Sequence, residues 1–255
     1  MNFTNDWLHK FEIKTGRWVY IPNEETLQLG KEIHSYIKKK WNYPHYMFHL
    51  RDGGHVAAAN YHINNKYFCL IDISDFFGAT SQSRITRELN HFIPYAKARE
   101  IAKLSTVKNL NGNGLKRVLP YGYPQSPILA SFCLRQSYCG NLINTLSKSG
   151  YISVTIYMDD ILLSSNDLDK LSQDFSAVTM ALKKSGYTVN ETKTQSPSTS
   201  VNVFNLVLKQ NLLRVSSVRI LEFLQAYITS SNPAERKGIA SYVGSVNKTQ
   251  AKLFR

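Results

Sequence analysis

The clearest pattern of apolar and polar positions lies in the second half of the chain. Apolar β-branched residues alternate with smaller polar ones over residues 152–156, and a second apolar run follows at residues 161–163. This pattern predicts two strands joined by a tight turn. The turn carries Tyr157, Met158, Asp159 and Asp160. Adjacent carboxylates repel one another, which favours a bound divalent cation, but Asp-Asp is also ordinary turn chemistry, so both interpretations stay open at this point.

Another acidic residue follows a continuous apolar run at residues 67–71, which has the length of a buried strand. Asp72 comes directly after this run, at the end of the predicted strand, where many folds place polar chemistry. We therefore expect Asp72 to be a third acidic ligand. Asp75 lies three residues further on, and we expect it to cap a helix that begins near residue 80 and reaches Phe92.

The rest of the chain predicts a mixed α+β fold. Apolar residues at helical spacing predict helices over residues 25–41, 128–146, 168–182 and, near the end, two helices broken at residues 230–233. Short strands are predicted at residues 187–190 and 201–208, and the sequence Asp-Gly-Gly at residues 52–54 predicts a hairpin turn. The order strand, helix, helix, strand, strand, helix, strand resembles a split βαβ sandwich with an embellished first crossover.

Charge narrows the class of partner. The 255 residues are enough for a sizeable core in one or two domains, and they carry a formal net charge of +13. Such a charge favours a polyanionic partner, either nucleic acid or an acidic membrane surface. From Lys209 onwards there are eight Lys or Arg against two acids, which predicts an element that faces nucleic acid. The 15 Tyr and 12 Phe suit stacking on bases and suit a core equally well.

The cysteines and the apolar runs predict the compartment. Cys69, Cys133 and Cys139 are an odd number without a C-x-x-C pair, so neither a disulfide framework nor a zinc site is indicated. The first residues lack the pattern of a signal peptide, and no apolar stretch approaches the roughly 20 residues of a membrane helix. We therefore expect a soluble cytoplasmic protein with no membrane partner.

The three acids indicate a specific chemistry when they are taken together. Carboxylates on two neighbouring strands can hold two Mg²⁺ ions roughly 3.5–4 Å apart, an arrangement that activates an attacking 3′-hydroxyl and stabilises a leaving pyrophosphate. The turn-rich residues 119–127 precede a predicted helix, and the free N–H groups at its start can meet phosphate or sugar. A helix that simply starts at a proline is the alternative interpretation of that segment.

Three motifs carry a family resemblance. Asp72-Ile73-Ser74-Asp75-Phe76-Phe77, the segment 119–127 and Tyr157-Met158-Asp159-Asp160 resemble, in order and spacing, the three central palm motifs of reverse transcriptases. The Lys193-Thr194 pair is similar to the next palm motif of the family, and residues 203–206 are similar to its primer-grip hairpin. The resemblance covers about residues 45–210 and is strongest toward retron and group II intron-type enzymes of bacteria, especially the divergent set associated with phage defence.

The resemblance implies a right-hand polymerase. The fingers would be reduced and occupy residues 1–66. A ferredoxin-like palm, with a split βαβ antiparallel sheet, would occupy residues 67–210 and include a fingers insertion at about 80–120. A short helical thumb of two helices would follow at residues 211–255, without a ribonuclease H segment.

The resemblance also implies a role for each matching residue. The metal ligands would be Asp72, Asp159 and Asp160, assisted by the Ile73 carbonyl. They would bind two Mg²⁺ ions, or Mn²⁺ in place of Mg²⁺. Phe77 would be the sugar gate that excludes the ribose hydroxyl. The other nucleotide-binding residues would be Tyr121, Gly122, Gln125, Arg51 and Lys193. The primer and template contacts would come from Tyr157, Met158, Phe204 and Asn205.

The chain departs from the family pattern at three positions. Tyr121 stands where Gln is common, and Asn205 stands where the primer grip usually has Gly. His55 stands where the fingers motif usually has Arg, which predicts a weak and pH-sensitive phosphate grip, with Arg51 or Lys66 in compensation.

The predicted function is RNA-directed DNA polymerisation on a noncoding RNA template in antiviral defence. The partners would be that RNA, the DNA product and dNTPs, with a homo-oligomer or an accessory protein to complete the cleft. One alternative is template-independent or protein-primed repetitive DNA synthesis, which the short thumb and Tyr121 favour. The other is a catalytically retired scaffold that only binds nucleic acid, against which the intact acids argue because clustered unpaired charge is destabilising.

Overall fold

A computed structural model describes residues 6–111 and 114–254 of the chain. The strands are β1 (Trp7–Lys14), β2 (Arg17–Pro22), β3 (Tyr67–Ser74), β4 (Val107–Lys108), β5 (Arg117–Val118), β6 (Ile152–Tyr157), β7 (Asp160–Ser165), β8 (Thr188–Val189), β9 (Gln195–Ser198), β10 (Ser200–Val203), β11 (Leu206–Lys209) and β12 (Leu212–Val215). The α-helices are α1 (Glu24–Lys40), α2 (Gly54–Asn60), α3 (Gln82–Asn90), α4 (Tyr95–Leu104), α5 (Ser126–Gln136), α6 (Tyr138–Leu146), α7 (Leu168–Lys184), α8 (Ser217–Thr229) and α9 (Pro233–Val246). Short 3₁₀ helices span Phe48–Leu50 and Gln250–Phe254.

The central sheet has the strand order β6-β7-β3-β8, and β9 also pairs with β3. Each of these pairs is antiparallel. In chain order, the sheet is strand β3, a helical crossover from α3 to α6, strands β6 and β7, helix α7 and strand β8. This split βαβ arrangement confirms the α+β, ferredoxin-like fold that the sequence predicted.

Strand β3 is buried on both faces, which explains its continuous apolar sequence. Cys69 and Ile71 face the larger hydrophobic core, which includes residues of α1 and of α3 to α7. Phe68 and Leu70 face a second core, formed with β10 to β12, α8 and α9. Because side chains alternate along a strand, Asp72 lies on the face of Phe68 and Leu70, at the edge of that second core.

Two smaller units flank the central sheet. Strands β10, β11 and β12 form an antiparallel meander that packs with α8 and α9. Strands β1 and β2 form a hairpin whose β1 strand is exposed along its whole length. The sequence did not predict this hairpin or strand β12. Since β12 lies in the predicted thumb and pairs with β11 of the predicted palm, the domain division at residue 210 stays a prediction.

The hairpin turn predicted at residues 52–54 is wrong, because the chain enters helix α2 there. Gly53 is the N-cap of α2 and has a left-handed φ of 90°, which glycine adopts without a steric penalty. Residues 57–59 are three alanines, which favour helix over strand. The Asp-Gly-Gly sequence fits either outcome, and the alanines decide it.

The single helix predicted over residues 128–146 is also wrong, because it breaks into α5 and α6 at Ser137. Ser137 is extended, and its Oγ accepts a hydrogen bond from the Gly140 N–H at 3.1 Å. A Cβ at Gly140 would lie 2.2 Å from the Leu134 carbonyl oxygen, so glycine permits this tight junction. The apolar stripe continues across the break and hides it in the sequence.

Helix α3 is capped by Ser81, not by Asp75 as predicted. The Oγ of Ser81 accepts from the Arg84 N–H at 3.2 Å, whereas Asp75 accepts from the Gly78 N–H at 3.3 Å in the preceding turn.

Cys69, Cys133 and Cys139 are buried and free. Among the residues that the structure describes, no helix has both the length and the apolar character needed to cross a bilayer.

Candidate active site

The register of the central sheet brings the three predicted acids to one place. Asp72 in β3 is the direct antiparallel partner of Asp160 in β7. Asp159 belongs to the two-residue turn between β6 and β7, and its carbonyl accepts a hydrogen bond from the Ile73 N–H at 2.8 Å. Acids 87 or more positions apart in the sequence therefore meet because of the strand pairing alone.

Burial and mutual repulsion act together on these carboxyl groups. Asp72 is only 3% exposed. Burial, followed by the charges of Asp159 and Asp72, raises the pKa of Asp160 to about 7. Burial and the charge of Asp72 also raise the pKa of Asp159. The site therefore holds more negative charge than its surroundings stabilise.

Lys193 supplies part of the missing positive charge. Its Nζ lies 3.0 Å from Oδ2 of Asp72, and this hydrogen bond raises the pKa of the lysine. The Lys193 side chain is 53% exposed, so its ammonium group borders the solvent. One lysine does not balance the charge of three carboxylates, so the site favours the binding of further cations.

The donor set fits hard divalent cations, which prefer carboxylate and carbonyl oxygens. As the side chains stand, residues 6–111 and 114–254 contain no group of three His, Cys, Asp or Glu disposed to hold a metal ion. The Asp72 carboxylate is directed to Lys193 instead. Cation binding at this site would therefore require the Asp72–Lys193 pair to rearrange.

A buried hydrogen-bond chain holds the acidic turn from behind. Met158 has a left-handed φ of 56°, and its N–H donates to Nδ1 of His49 at 3.1 Å. Nε2 of His49 lies 2.7 Å from Oγ of Ser131, and that hydroxyl donates to the Pro127 carbonyl at 2.8 Å. Because Nδ1 accepts and the Ser131 proton is used, His49 carries its proton on Nε2. Burial lowers the pKa of His49 to about 4, which keeps it neutral.

Arg17, at the start of β2, is a cation that the sequence reasoning missed. Its guanidinium carbon lies 4.2 Å from the centroid of the Tyr121 ring. Arg17 also lies close enough to Asp159 for its charge to oppose the rise in that group's pKa. Nothing in the local sequence marks Arg17, because the β1–β2 hairpin reaches the site only through tertiary structure.

Phe77 and Tyr121 form an aromatic pair beside Arg17, with ring centroids 4.8 Å apart. Phe77 is 8% exposed, so little of its ring faces the cleft. Gly122 has φ of 99°, and a Cβ there would lie 2.1 Å from the Tyr20 carbonyl oxygen. The glycine thus allows Tyr121 to accept a backbone hydrogen bond from the Tyr20 N–H at 2.9 Å, which ties this segment to β2.

Two predicted nucleotide-binding residues lie apart from this cluster. The Arg51 guanidinium donates to the His45 carbonyl and packs over the ring of Phe48. Gln125 is buried, its Nε2 lies 3.4 Å from Ser105 Oγ, and its Oε1 lies against Gly30 of α1. Neither side chain contacts the acids in the structure.

An aromatic cluster borders the other side of the acidic turn. The Tyr157 ring lies 5.2 Å from Phe204 and 6.0 Å from His55. Nε2 of His55 lies 2.9 Å from the Tyr242 hydroxyl of α9. His55 thus contacts this cluster, and its weak phosphate grip stays a prediction. Asn205, next to Phe204, is exposed with φ of 62°.

The sheet order, the acidic turn opposite Asp72 and the basic side chains beside them define the palm of a right-hand nucleic-acid polymerase. Comparison with known families identifies it further. Residues 12–221 match the family model described as "Reverse transcriptase (RNA-dependent DNA polymerase)". The chain therefore belongs to the reverse transcriptase family, which is an RNA-directed class of nucleotidyltransferase.

Similar proteins agree with this family. The chain is 23% identical to the Retron Se72 reverse transcriptase of Salmonella heidelberg (strain 579083-10) over 97% of its own length and 69% of that protein. It is 24% identical to the Retron Ec86 reverse transcriptase of Escherichia coli over 82% of its own length and 63% of that protein. A telomerase from Candida albicans in complex with a fragment of telomeric RNA has the same fold, with a TM-score of 0.55, 12% identity and coverage of 90% of this chain and 47% of that one.

Proposed function

We propose that the chain synthesises DNA on an RNA template, with two Mg²⁺ ions or Mn²⁺ held by Asp72, Asp159 and Asp160 and by the Ile73 carbonyl. The observation that carries this proposal is the register pairing of Asp72 with Asp160, next to the turn that holds Asp159. The bound ions would activate the 3′-hydroxyl of the primer and stabilise the leaving pyrophosphate.

The cations around the acids have complementary roles in this proposal. Arg17 binds the triphosphate of the incoming nucleotide, because its guanidinium is the positive group that the β1–β2 hairpin brings beside Tyr121 and Asp159. Lys193 leaves Asp72 when metal binds and then neutralises or protonates the pyrophosphate. Both roles need a positive group at the rim of the site rather than in the core.

The aromatic residues select the sugar and position the primer. The Phe77 ring, supported by Tyr121, excludes a ribose 2′-hydroxyl sterically. Tyr121, with Gly122 in the backbone beside it, contacts the nucleotide. On the other side, Tyr157 and Met158 support the primer end, together with the turn at Phe204 and Asn205.

The template is proposed to be a dedicated noncoding RNA, and the biological role to be antiviral defence. Both rest on the resemblance to retron-type and phage-defence-associated reverse transcriptases. A homo-oligomer or an accessory protein is proposed as a further partner. The identity of the template, of the DNA product and of these partners is proposed on the same basis.

Asp159→Asn tests the polymerase proposal directly. Wild-type protein, Mg²⁺, labelled dNTPs and a primed RNA template should yield DNA, and the variant should lose on the order of 10³-fold in rate, since several kcal/mol of charge stabilisation are removed. The measurement is primer extension resolved by length. The matched control is Asp52→Asn, which removes an exposed acid outside the cluster and should leave the rate unchanged.

The same reactions separate the alternatives. Omission of the RNA template should abolish synthesis, whereas continued synthesis of a repeated sequence would replace templated copying with template-independent or protein-primed synthesis. A wild-type protein that incorporates no nucleotide with Mg²⁺ or Mn²⁺, but still binds the template, would be a retired scaffold.

Phe77→Ala tests the sugar gate. Removal of the ring opens space beside the sugar, so discrimination against ribonucleotides should fall by roughly 10-fold or more. The measurement is the ratio of kcat/KM for a dNTP and the matching rNTP. Phe76→Leu, which changes the buried neighbouring ring, is the control and should keep the ratio. Unchanged sugar selectivity in Phe77→Ala would remove the gate from the proposal.

A further inference from the structure

A concave basic surface lies away from the acidic cluster, where the C-terminal ends of α1, α5 and α6 meet residues 41–51. It encloses about 900 Å³. We call it the basic groove and define it by its six Lys and Arg side chains. These are Lys38, Lys39, Lys40, Arg51, Arg135 and Lys148.

The charge of the basic groove is not balanced by acids. No carboxylate lines it, and none of its six cations belongs to an ion pair within the part of the chain that the structure describes. The two arginines have neutral partners. Arg51 donates to the His45 carbonyl, and Arg135 donates to Asn141 Oδ1 at 2.9 Å. These bonds orient the guanidinium groups without reducing their charge.

Stabilisation of a helix terminus explains only part of this arrangement. Lys38, Lys39 and Lys40 form the last turn of α1, where cations complement the helix dipole. Arg51 and Lys148 are not in helices, yet they line the same cavity. Charges within a Debye length of about 10 Å repel one another, so their convergence is unfavourable until an anion binds.

The groove is separate from the polymerase cleft. Helix α5 connects the two, since Ser126 at its start bonds to the Pro120 carbonyl beside Tyr121, and Arg135 lies near its other end. Nine residues at a 1.5 Å rise place these ends about 14 Å apart. A nucleic acid in the cleft and one in the groove would therefore occupy different surfaces.

We propose that the basic groove binds the phosphate backbone of a folded RNA outside the polymerase cleft. Six cations around one cavity match a polyanion whose charges are closely spaced. Asn42, Asn144 and Ser147 also line the groove, and amide and hydroxyl groups can bind the 2′-hydroxyl of RNA. The concave shape fits a nucleic-acid strand better than a flat lipid surface. The proposal does not depend on catalysis.

The test compares two triple variants of the full chain with equal loss of charge. Lys38→Gln/Lys39→Gln/Lys40→Gln changes the groove. Lys103→Gln/Lys183→Gln/Lys184→Gln changes exposed lysines in the last turns of α4 and α7. Binding of a labelled RNA hairpin without dNTPs is measured by fluorescence anisotropy at several salt concentrations. Primer extension by the wild-type protein and the groove variant is measured in parallel on a short primed duplex, which fills only the cleft.

The groove variant should bind the hairpin roughly 10- to 100-fold more weakly at 0.1 M salt, and its log Kd should depend on log salt with a slope reduced by about 2. The control variant should stay near the wild type. Equal weakening in both triple variants would overturn the proposal, because net charge alone would then explain binding. So would an equal loss for a DNA hairpin, or a groove-dependent affinity for anionic phosphatidylglycerol vesicles instead of RNA.

Two further readouts keep the result interpretable. If circular dichroism shows that the triple variant does not fold, Arg135→Gln/Lys148→Gln tests the groove from α5 and the end of α6, with the same expected direction. Primer extension on the short duplex should be equal in wild type and groove variant. A wild type without extension would contradict the proposed polymerase function while leaving the hairpin result valid.

Discussion

Two hairpin turns border the candidate site, and they are held in different ways. The β6–β7 turn and the β10–β11 turn are both two-residue loops, and both contain non-glycine residues with left-handed φ. Met158 has φ of 56°, and Phe204 and Asn205 have φ of 56° and 62°. This conformation costs a residue such as Met or Phe of order 1–3 kcal/mol, which the surroundings must offset, whereas Asn tolerates it.

The β6–β7 turn is held by directional hydrogen bonds. The Met158 N–H is fixed by neutral His49, which is fixed in turn by Ser131. In the β10–β11 turn, by contrast, the Phe204 ring packs against Tyr157 and His55. The Asn205 carbonyl in that turn also accepts a backbone hydrogen bond from the Ser216 N–H at 2.8 Å. The acidic turn is therefore tied to the side chains of His49 and Ser131, whereas the other turn is tied to the start of α8 and to the aromatic cluster.

Among changes to the contacts of these two turns, substitution of His49 should have the largest effect on activity. His49→Gln can still reach Ser131 but leaves the Met158 N–H without an acceptor, whereas the Oδ1 of His49→Asn can stand in for Nδ1. We expect the Gln variant to lose roughly 10- to 100-fold in kcat, because small displacements of catalytic groups cost that much, and the Asn variant to lose less. The measurement is single-nucleotide incorporation with kcat and KM separated.

Ser131→Ala is the control for His49, since it removes both hydrogen bonds of the Ser131 hydroxyl but keeps the bond between Met158 and His49, and it should have a smaller effect than His49→Gln. If the Gln and Asn variants lose the same activity, the bond to Met158 does not position the turn. A loss confined to KM would indicate a contact with substrate instead.

The next effect concerns the strands of the same hairpin and depends on pH. Buried His62 lies 2.6 Å from Ser164 Oγ in β7 and 2.9 Å from Thr155 Oγ1 in β6. Burial lowers its pKa to about 3, below the ordinary value of about 6.5. Between these values the unfolded chain binds a proton and the folded chain does not. His62 alone should therefore lower the free energy of unfolding by about 1.4 kcal/mol for each pH unit over this interval.

Urea unfolding at pH 6.5, 6.0, 5.5 and 5.0 measures this slope. His62→Gln should reduce it by about 1.4 kcal/mol per pH unit, while His9→Gln, at an exposed position of β1, should leave it unchanged. His49 contributes a similar slope down to about pH 4, so the His62→Gln variant should keep that part of the pH dependence. An identical slope in wild type and His62→Gln would show that His62 is protonated in the folded chain.

These contacts mark the limit of what the sequence could predict about the site. The acids were found because their signal is local, in an apolar strand that ends in Asp72 and a turn that holds Asp159 and Asp160. Arg17 and His49 have no local signal, since each reaches the site from a distant element. His49, His55 and His62 all contact the β6–β7 hairpin, and the sequence analysis assigned no common role to them.

The same distinction holds for the fold. Helices α1 and α7 have clean apolar stripes and good caps, and the predicted ranges 25–41 and 168–182 agree with them to within two residues at each end. The break at Ser137 depends on a single extended residue inside a continuous stripe. In β1, Phe11 and Ile13 alternate with charged residues, which is a strand pattern that the sequence reasoning overlooked, although every residue of the strand is exposed. Long elements with their own periodicity were predicted, whereas short elements and breaks that depend on neighbouring elements were not.

The smallest effect separates strain from packing in the two turns. Met158→Gly removes the cost of a left-handed φ at a half-buried residue, so we expect about 1 kcal/mol of added stability together with lower activity, because the side chain below the primer end is lost. Asn205→Gly should change stability by less than about 0.5 kcal/mol, since Asn tolerates this conformation and glycine increases the freedom of the unfolded chain. Urea unfolding and primer extension on the same preparations measure both quantities. If Met158→Gly destabilises the protein, packing of the Met158 side chain outweighs the cost of its left-handed φ.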